Sequence, residues 1–178
     1  MTTCVALLRG INVGRAKRIA MADLRDLVAG LGHRNVRTLL NSGNVIFEAA
    51  RADTEELARE IEERIAKRCG FSARVLVITA EELEAIARSN PLREAENEPS
   101  RFLVAFVAST ATLAKLMPLA KDTRAPDRLA LGPRAAYLWC AGGILESRML
   151  PAFSRLGGEE VTTRNWATVQ KLQAATRA

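Results

Sequence analysis

Side chains that donate hydrogen bonds cluster in three short segments of the sequence: residues 9–14, 42–44 and 164–166. Arginine and lysine pair with phosphate and carboxylate groups, and amide and hydroxyl groups orient such anions. The chemistry expected of these segments is therefore the binding of an anion. The candidate ligand-binding residues are Arg9, Asn12, Gly14, Lys17, Ser42, Asn44, Arg164, Asn165 and Thr168.

The first segment, residues 9–14, joins a predicted strand to a predicted helix, where backbone N–H groups commonly receive an anion. A Walker A loop needs lysine directly after its last glycine, whereas Lys17 lies three residues beyond Gly14, and G-x-G-x-x-G is absent. The sequence thus gives no support for nucleotide hydrolysis. The alternative is structural: both glycines serve a turn that Asn12 caps through local hydrogen bonds.

The third segment, Arg164-Asn165-Trp166, stands where we predict that a helix begins, with Thr163 as its cap. Free amides and the helix dipole would favour an anion there, with help from Lys171. In the alternative, Trp166 packs in the core, Arg164 pairs with a carboxylate and Asn165 caps the helix.

Residues for familiar catalytic chemistry are scarce. His33 is the only histidine, and no H-x-x-x-H pattern or Cys and His cluster indicates a metal. Cys4, Cys69 and Cys140 are widely spaced and are interpreted as buried apolar residues. We assign no catalytic residue, predict no metal site and identify no cofactor, so a binding protein and an enzyme of unknown class both stay open.

The composition indicates a water-soluble globular chain: of 178 residues, 48% are hydrophobic and 26% charged. The longest apolar run, residues 102–108, is too short to span a bilayer, and Arg9 interrupts the N-terminus before a secretory segment can form. We therefore expect a cytoplasmic protein with no membrane partner.

The net charge of +6 raises the alternative of a nucleic-acid partner. Residues 1–40 hold seven Arg or Lys against two Asp, and residues 120–178 hold nine against five acidic residues. Residues 41–90 are acidic instead, with seven against ten. An RNA-recognition motif would need aromatic side chains on its central strands, and these are missing, so we expect nucleic acid to bind weakly at most.

Apolar periodicity predicts an α+β fold made of two halves. In residues 3–79 the order is strand 3–8, helix 21–31, hairpin strands 36–40 and 44–48, a helix capped by Asp53, and strand 74–79. This β-α-β-β-α-β order is ferredoxin-like. A further helix follows, capped by Thr79 and closed at Asn90-Pro91.

The second half repeats this order. Its predicted elements are strand 102–107, a short helix 112–117 stopped by Pro118, hairpin strands 127–131 and 134–140, a helix within 145–156 that Pro151 bends or delays, and a last helix 164–176. We predict two ferredoxin-like halves packed together with an extra C-terminal helix, forming domains 1–90 and 101–178.

The sequence resembles the domain-of-unknown-function 1697 family nearly from end to end. The resemblance implies a bacterial-type cytoplasmic protein with two α+β subdomains and implies no particular reaction. Arg15 stands where the family usually has glycine, Ser147-Arg148 where it has Ser-Lys, and Leu39 where it has tyrosine. The matching motifs are Arg9-Gly10-Ile11-Asn12-Val13-Gly14, Met21, Leu24, Thr38, Ser42-Gly43-Asn44, Phe47, Asn90-Pro91, Tyr137-Leu138, Thr163-Arg164-Asn165-Trp166, Thr168-Val169 and Lys171-Leu172.

The three donor-rich segments are predicted to meet in a cleft between the two halves and to bind a small ligand bearing phosphate or carboxylate. Arg9 and Arg164 would hold the anion, while Asn12, Ser42 and Asn44 would orient it. The alternatives are a nucleic-acid-associated protein with distributed Arg and Lys contacts, and a structural or interaction module in which these motifs only lock loops together. The oligomeric state is left open.

Overall fold

The computed structural model describes residues 1–122 and 126–178. Within them the chain forms two compact units, one of residues 1–83 with 172–178 and the other of residues 84–171. The strands are β1 (Thr2–Leu8), β2 (Arg34–Leu39), β3 (Asn44–Ala49), β4 (Val75–Thr79), β5 (Phe102–Val107), β6 (Arg128–Leu131), β7 (Ala135–Trp139) and β8 (Val161–Asn165). The helices are α1 (Met21–Ala29), α2 (Thr54–Cys69), α3 (Ala80–Arg88), α4 (Thr110–Ala120), α5 (Leu150–Gly157) and α6 (Trp166–Arg177).

The first unit has a four-stranded antiparallel sheet in the order β2-β3-β1-β4. Helices α1 and α2 are its crossover connections, which gives the predicted ferredoxin-like arrangement. Alternate residues of the strands, among them Ala6 and Phe47, pack in one cluster with Leu24 and Ile61 of the helices. The period of two in the strands and the apolar stripe on each helix therefore meet in one core.

The caps of α2 match the sequence prediction. The Asp53 side chain accepts a hydrogen bond from the backbone N–H of Glu56 at 3.0 Å. Gly70 ends the helix in the left-handed conformation, with φ 72°. The capping box of α3 is also present, because Thr79 and Glu82 each accept from the other's backbone N–H, at 3.1 and 2.9 Å.

The second unit repeats this topology with the sheet order β6-β7-β5-β8, again antiparallel. Its core cluster joins strand residues such as Ala105 and Leu138 to Leu116 of α4 and Phe153 of α5. The prediction of an α+β fold with two ferredoxin-like halves is confirmed. The additional C-terminal helix is α6.

Several helix boundaries differ from the predictions by one to three residues, and two of them involve the residue that was expected to stop or cap the helix. Helix α4 continues through Pro118 to Ala120 instead of stopping before the proline. Pro118 lies in the last turn, where the loss of one backbone N–H donor leaves most of the helix intact. The other difference concerns α6, which begins at Trp166, so that Thr163 and Arg164 belong to strand β8.

Pro151 sits within the first two residues of α5, which begins at Leu150. A proline there sacrifices no helical hydrogen bond. Of the two predicted alternatives, a bend at Pro151 or a late start, the structure has the late start. Among the residues that the structure describes, no helix has both the length and the apolar character needed to cross a membrane.

Candidate anion-binding site

The loop of residues 9–18, here called the glycine loop, follows β1 at one end of the first sheet. Leu7 lies opposite Asn44 of β3, and Leu8 lies opposite Val75 of β4. The backbone N–H of Leu8 also donates to the Gly43 carbonyl at 2.8 Å. The register of β1 with β3 therefore places the glycine loop beside the turn of residues 40–43, which joins β2 to β3.

Asn12 fixes the shape of the glycine loop. Its Nδ2 donates to the carbonyls of Ile19 and Asn41, both at 3.0 Å, and its Oδ1 accepts from the backbone N–H of Ile19 at 3.0 Å. The residue has φ 56°, a left-handed conformation that asparagine tolerates better than most residues. The amide is thus occupied by loop contacts, which is the structural role considered for it.

The turn of residues 40–43 packs directly against the glycine loop. Gly43 has φ 81°, and a Cβ built on it would lie 2.7 Å from Cδ1 of Ile11. Asn44 is buried, and its Nδ2 donates to the Leu39 carbonyl at 2.8 Å and to Oγ of Ser42 at 3.0 Å. The structure therefore brings the first two donor-rich segments together and uses their amide groups to hold both loops.

Three cations of the glycine loop are exposed: Arg15, Lys17 and Arg18. Arg18 donates to the Gly14 carbonyl at 2.9 Å, within the loop itself. Among residues 1–122 and 126–178, no carboxylate forms a salt bridge with any of the three. The sequence prediction included only Lys17 of these, although Arg15 and Arg18 stand in the same basic stretch.

Left-handed residues alternate with others in the first part of this loop. Gly10, Asn12 and Gly14 have φ of 66°, 56° and 64°, and the residues between them have negative φ. In the described part of the chain, no hydrogen bond takes up the backbone N–H of Val13, Gly14 or Arg15. Alternating handedness turns successive N–H groups into a concave anion site. Arg15 has a negative φ, so an arginine in place of the family's usual glycine causes no backbone strain at this position.

Arg9 is half-buried at the start of the glycine loop. Its backbone N–H donates to the Arg74 carbonyl at 2.9 Å and so extends the pairing of β1 with β4. Ser42 is exposed in the neighbouring turn. The side chain of Arg9 thus starts from the sheet end that carries the exposed cations.

The third donor-rich segment lies at the end of β8 and the start of α6. Arg164 is buried in the strand, and its Nη1 donates to the Thr163 carbonyl at 2.8 Å. Burial lowers the pKa of Arg164 to about 10. Oδ1 of Asn165 accepts from the backbone N–H of Thr168 at 2.9 Å and from its Oγ1 at 2.8 Å. Asn165, and not Thr163, therefore caps α6.

The two units use equivalent strand positions differently. Arg164 pairs with Val104 in the second sheet, as Ile78 pairs with Val5 in the first. A guanidinium therefore occupies a position that is apolar in the other unit. Arg164 belongs to the second unit and the glycine loop to the first. Their predicted meeting at a shared site stays a prediction.

The surroundings of the side chains that could transfer a proton, His33, Cys4 and Cys140, indicate a structural role. The His33 ring lies against Phe47 with 4.7 Å between ring centroids, and desolvation lowers the pKa of the imidazole. Burial raises the pKa of the Cys4 thiol to about 11, and burial also raises that of Cys140. Within the described residues, no three His, Cys, Asp or Glu side chains come together as a metal site.

The comparisons with known proteins agree with this fold. The model of the family described as "Protein of unknown function (DUF1697)" matches residues 1–137. The chain belongs to this family. The matched span includes the glycine loop and the 40–43 turn and ends before Arg164.

A solved structure with the same fold is that of the conserved bacterial protein SP0830 from Streptococcus pneumoniae. It has a TM-score of 0.75 and 21% sequence identity, and the alignment covers 98% of each chain. At this identity the likeness concerns the fold alone. A comparison with curated proteins gave no match.

Proposed function

We propose that this DUF1697 protein binds a small ligand bearing phosphate or carboxylate at the glycine loop of its first unit. The observation that carries the proposal is the set of three exposed cations, Arg15, Lys17 and Arg18, that have no carboxylate partner in the described part of the chain. Like charges held close together on a fixed loop repel one another, and a bound anion would relieve that repulsion.

Two further features of the glycine loop support the same ligand class, one in its backbone and one in the side chain of Asn12. The N–H groups of Val13, Gly14 and Arg15 are not taken up by hydrogen bonds, and they lie next to the cations in the chain. The three hydrogen bonds of the Asn12 amide hold the loop shape before a ligand arrives. A preorganised site loses less entropy on binding than a flexible one. Arg9 and Ser42, at the same end of the sheet, would extend the site.

A nucleic acid is the second candidate, because the cations are open to solvent and an extended polyanion could reach them as well. The two candidates differ in their response to salt. Each phosphate that a cation neutralises releases counterions, so several contacts give a steep dependence of affinity on salt. A single small anion gives a shallow dependence.

We also propose a cytoplasmic location, since Cys4, Cys69 and Cys140 are all free thiols.

The test is titration calorimetry of the full chain with inorganic phosphate and with pyrophosphate. We expect measurable binding that the double substitution Arg15→Gln and Lys17→Asn weakens by about two- to thirtyfold, since each exposed charge contact is worth about 0.2–1 kcal/mol. Asparagine at position 17 keeps a residue suited to the left-handed conformation, for which Lys17 has φ 52°.

The matched control is Arg34→Gln, which removes one exposed cation of the same unit. Arg34 starts β2, and its Cα lies about 17 Å along the strand from Leu39, next to the turn. Its loss should leave the affinity for phosphate unchanged. Equal weakening by the control and the double variant would contradict a site at the glycine loop. A steep salt dependence with oligonucleotides and no binding of pyrophosphate would favour nucleic acid.

A further inference from the structure

The second unit contains a cavity of about 200 Å³ that is separate from the candidate site in the first unit. Its walls are apolar at Leu92, Ala95 and Trp139. Charged side chains complete the lining: two carboxylates, Glu94 and Glu98, and one guanidinium, Arg128. A cavity of this volume holds a molecule about the size of one amino acid.

Two elements with fixed geometry build the cavity. On one side, Arg128 and Trp139 are direct partners in the register of β6 with β7, so their side chains share one face of the sheet. On the other side, the short 3-10 helix of residues 93–97 carries Glu94, and Glu98 follows directly after it. Asn90 holds this segment, because its Oδ1 accepts from the Leu92 N–H and its Nδ2 donates to Glu96, both at 2.8 Å.

The charged groups of the lining are already arranged in pairs. Glu94 forms an ion pair with Arg128, and Glu98 lies 3.1 Å from Nη1 of Arg101. The side chains of these pairs are 43–59% exposed to water, where ion pairs are weak and exchange readily with other charges. A hydrogen bond within Glu94 itself, together with Arg128, lowers the pKa of this carboxyl, so Glu94 is ionised at neutral pH.

The indole of Trp139 forms part of the same wall. Its Nε1 is buried and has no hydrogen-bond acceptor among the residues that the structure describes. Buried donors without acceptors are uncommon in native proteins and cost free energy. Because Nε1 is closed off from solvent, a molecule in this cavity contacts the carbon atoms of the indole and not this donor.

We propose that this cavity binds a small zwitterion of the α-amino-acid type with an apolar side chain. The ligand's ammonium group pairs with Glu98 and Glu94, its carboxylate pairs with Arg128, and its side chain lies on Leu92, Ala95 and Trp139. Each chemical group of the lining then has a partner of opposite charge or matching polarity. Arg101 balances the charge of Glu98, so both charged ends of the ligand contribute to binding.

The test compares L-leucine with two analogues that each lack one charge, 4-methylpentanoate and 3-methylbutylamine. Calorimetry of the full chain measures affinity, and tryptophan fluorescence reports the cavity, because Trp139 is partly exposed whereas Trp166 is buried. We expect leucine to bind at least fivefold more tightly than either analogue, since each analogue lacks one of the two ion pairs. Glycine should bind more weakly than leucine, since it lacks the apolar side chain.

Substitutions assign the two charges. Glu98→Gln should weaken leucine binding three- to fivefold and leave 4-methylpentanoate unaffected, whereas Arg128→Gln should weaken both. Trp139→Phe should abolish the fluorescence change caused by leucine. The matched controls Glu146→Gln and Arg155→Gln remove exposed charges of the same unit outside the cavity and should change nothing.

Three results would overturn the proposal. One is leucine binding no tighter than 3-methylbutylamine, which would identify a site for organic cations. Another is leucine binding that neither cavity substitution weakens. The third is the absence of leucine binding at concentrations up to about 20 mM. Two ion pairs and an apolar contact should give a dissociation constant below that value.

Discussion

At the scale of single residues, the Asn12 amide connects the glycine loop to the neighbouring turn through the carbonyl of Asn41. Asn12→Ala removes three hydrogen bonds and leaves alanine in a left-handed conformation. We expect the free energy of unfolding to fall by about 2–4 kcal/mol, at about 1 kcal/mol for each net hydrogen bond and 1 for the backbone. Urea denaturation measures this difference.

Asn35→Ala is the control for the free-energy cost of placing alanine in the left-handed conformation. Asn35 also has a left-handed φ, 51°, and the structure gives its side chain no hydrogen bond in the described residues. Its replacement should cost only about 1 kcal/mol. Equal losses in the two variants would mean that the Asn12 contacts contribute nothing.

The half-buried imidazole of His33 makes stability depend on pH. Desolvation lowers the pKa of His33 in the folded state from its ordinary 6.5, so the unfolded chain takes up the proton first as pH falls. The contribution is therefore present above about pH 6.5 and lost as pH falls through the lower folded pKa. We expect the free energy of unfolding to decrease from pH 7 to pH 5.

Because His33 is the only histidine, its replacement isolates this effect. In His33→Gln the fall between pH 7 and pH 5 should be smaller than in the unaltered chain when both are followed by chemical denaturation. An unchanged slope would assign the pH dependence to carboxylates instead.

At the scale of the elements, two prolines in helices have opposite consequences. Pro118 lies inside α4, where it lacks an N–H for the carbonyl of Ala114, whereas Pro151 lies in the first turn of α5. We expect Pro118→Ala to raise the free energy of unfolding by about 1–2 kcal/mol, since the site is in the last turn. Pro151→Ala should raise it by less than 0.5 kcal/mol, or lower it. Thermal and urea melts that show the same gain at both sites would contradict this reasoning.

Local signals predicted most of these elements because the signals are physical constraints on a few neighbouring residues. The Asp53 cap and the Thr79 and Glu82 capping box are hydrogen bonds over three residues, and both are present. The start of α6 was wrong because Thr163 and Asn165 are both good caps. The choice between them depends on the pairing of β8 with β5, which brings Asn165 opposite Leu103. Such long-range pairing has no local signal.

The same limit applies to the two sites. Three donor-rich segments were predicted to meet in a cleft between the halves, and two of them, the glycine loop and the 40–43 turn, lie together because both flank strands of the first sheet. The sequence did not identify the cavity at Trp139, because residues 93–100 carry no periodic pattern and lie between the predicted domains 1–90 and 101–178. The burial of Leu92 and Ala95 depends on the β6-β7 hairpin, which lies more than thirty residues further along the chain. Exposure of Arg15 and Arg18 likewise follows from the loop geometry that Asn12 imposes.

At the scale of the whole molecule, the net charge of +6 and the shortage of exposed aromatic side chains lead to one prediction about nucleic acid. The aromatic residues Phe47, Phe102, Phe106 and Tyr137 of the strands are fully buried. Trp139 of β7 is the one partly exposed aromatic residue of the described strands. Bases therefore have little aromatic surface there to stack on, and stacking is worth about 1–3 kcal/mol per base. What remains is attraction between cations and phosphates, which does not distinguish sequences.

We therefore expect only weak binding of single-stranded DNA or RNA, independent of base sequence and lost as salt rises, in fluorescence-anisotropy titrations from about 50 to 200 mM salt. The glycine-loop substitutions Arg15→Gln and Lys17→Asn should reduce the steepness of the salt dependence by about one per cation removed from contact. The control Arg34→Gln should leave that slope unchanged if the loop is where the backbone binds. Sub-micromolar affinity for one defined sequence at about 150 mM salt would instead require base contacts that these buried aromatic residues cannot make, and would point to recognition by another surface.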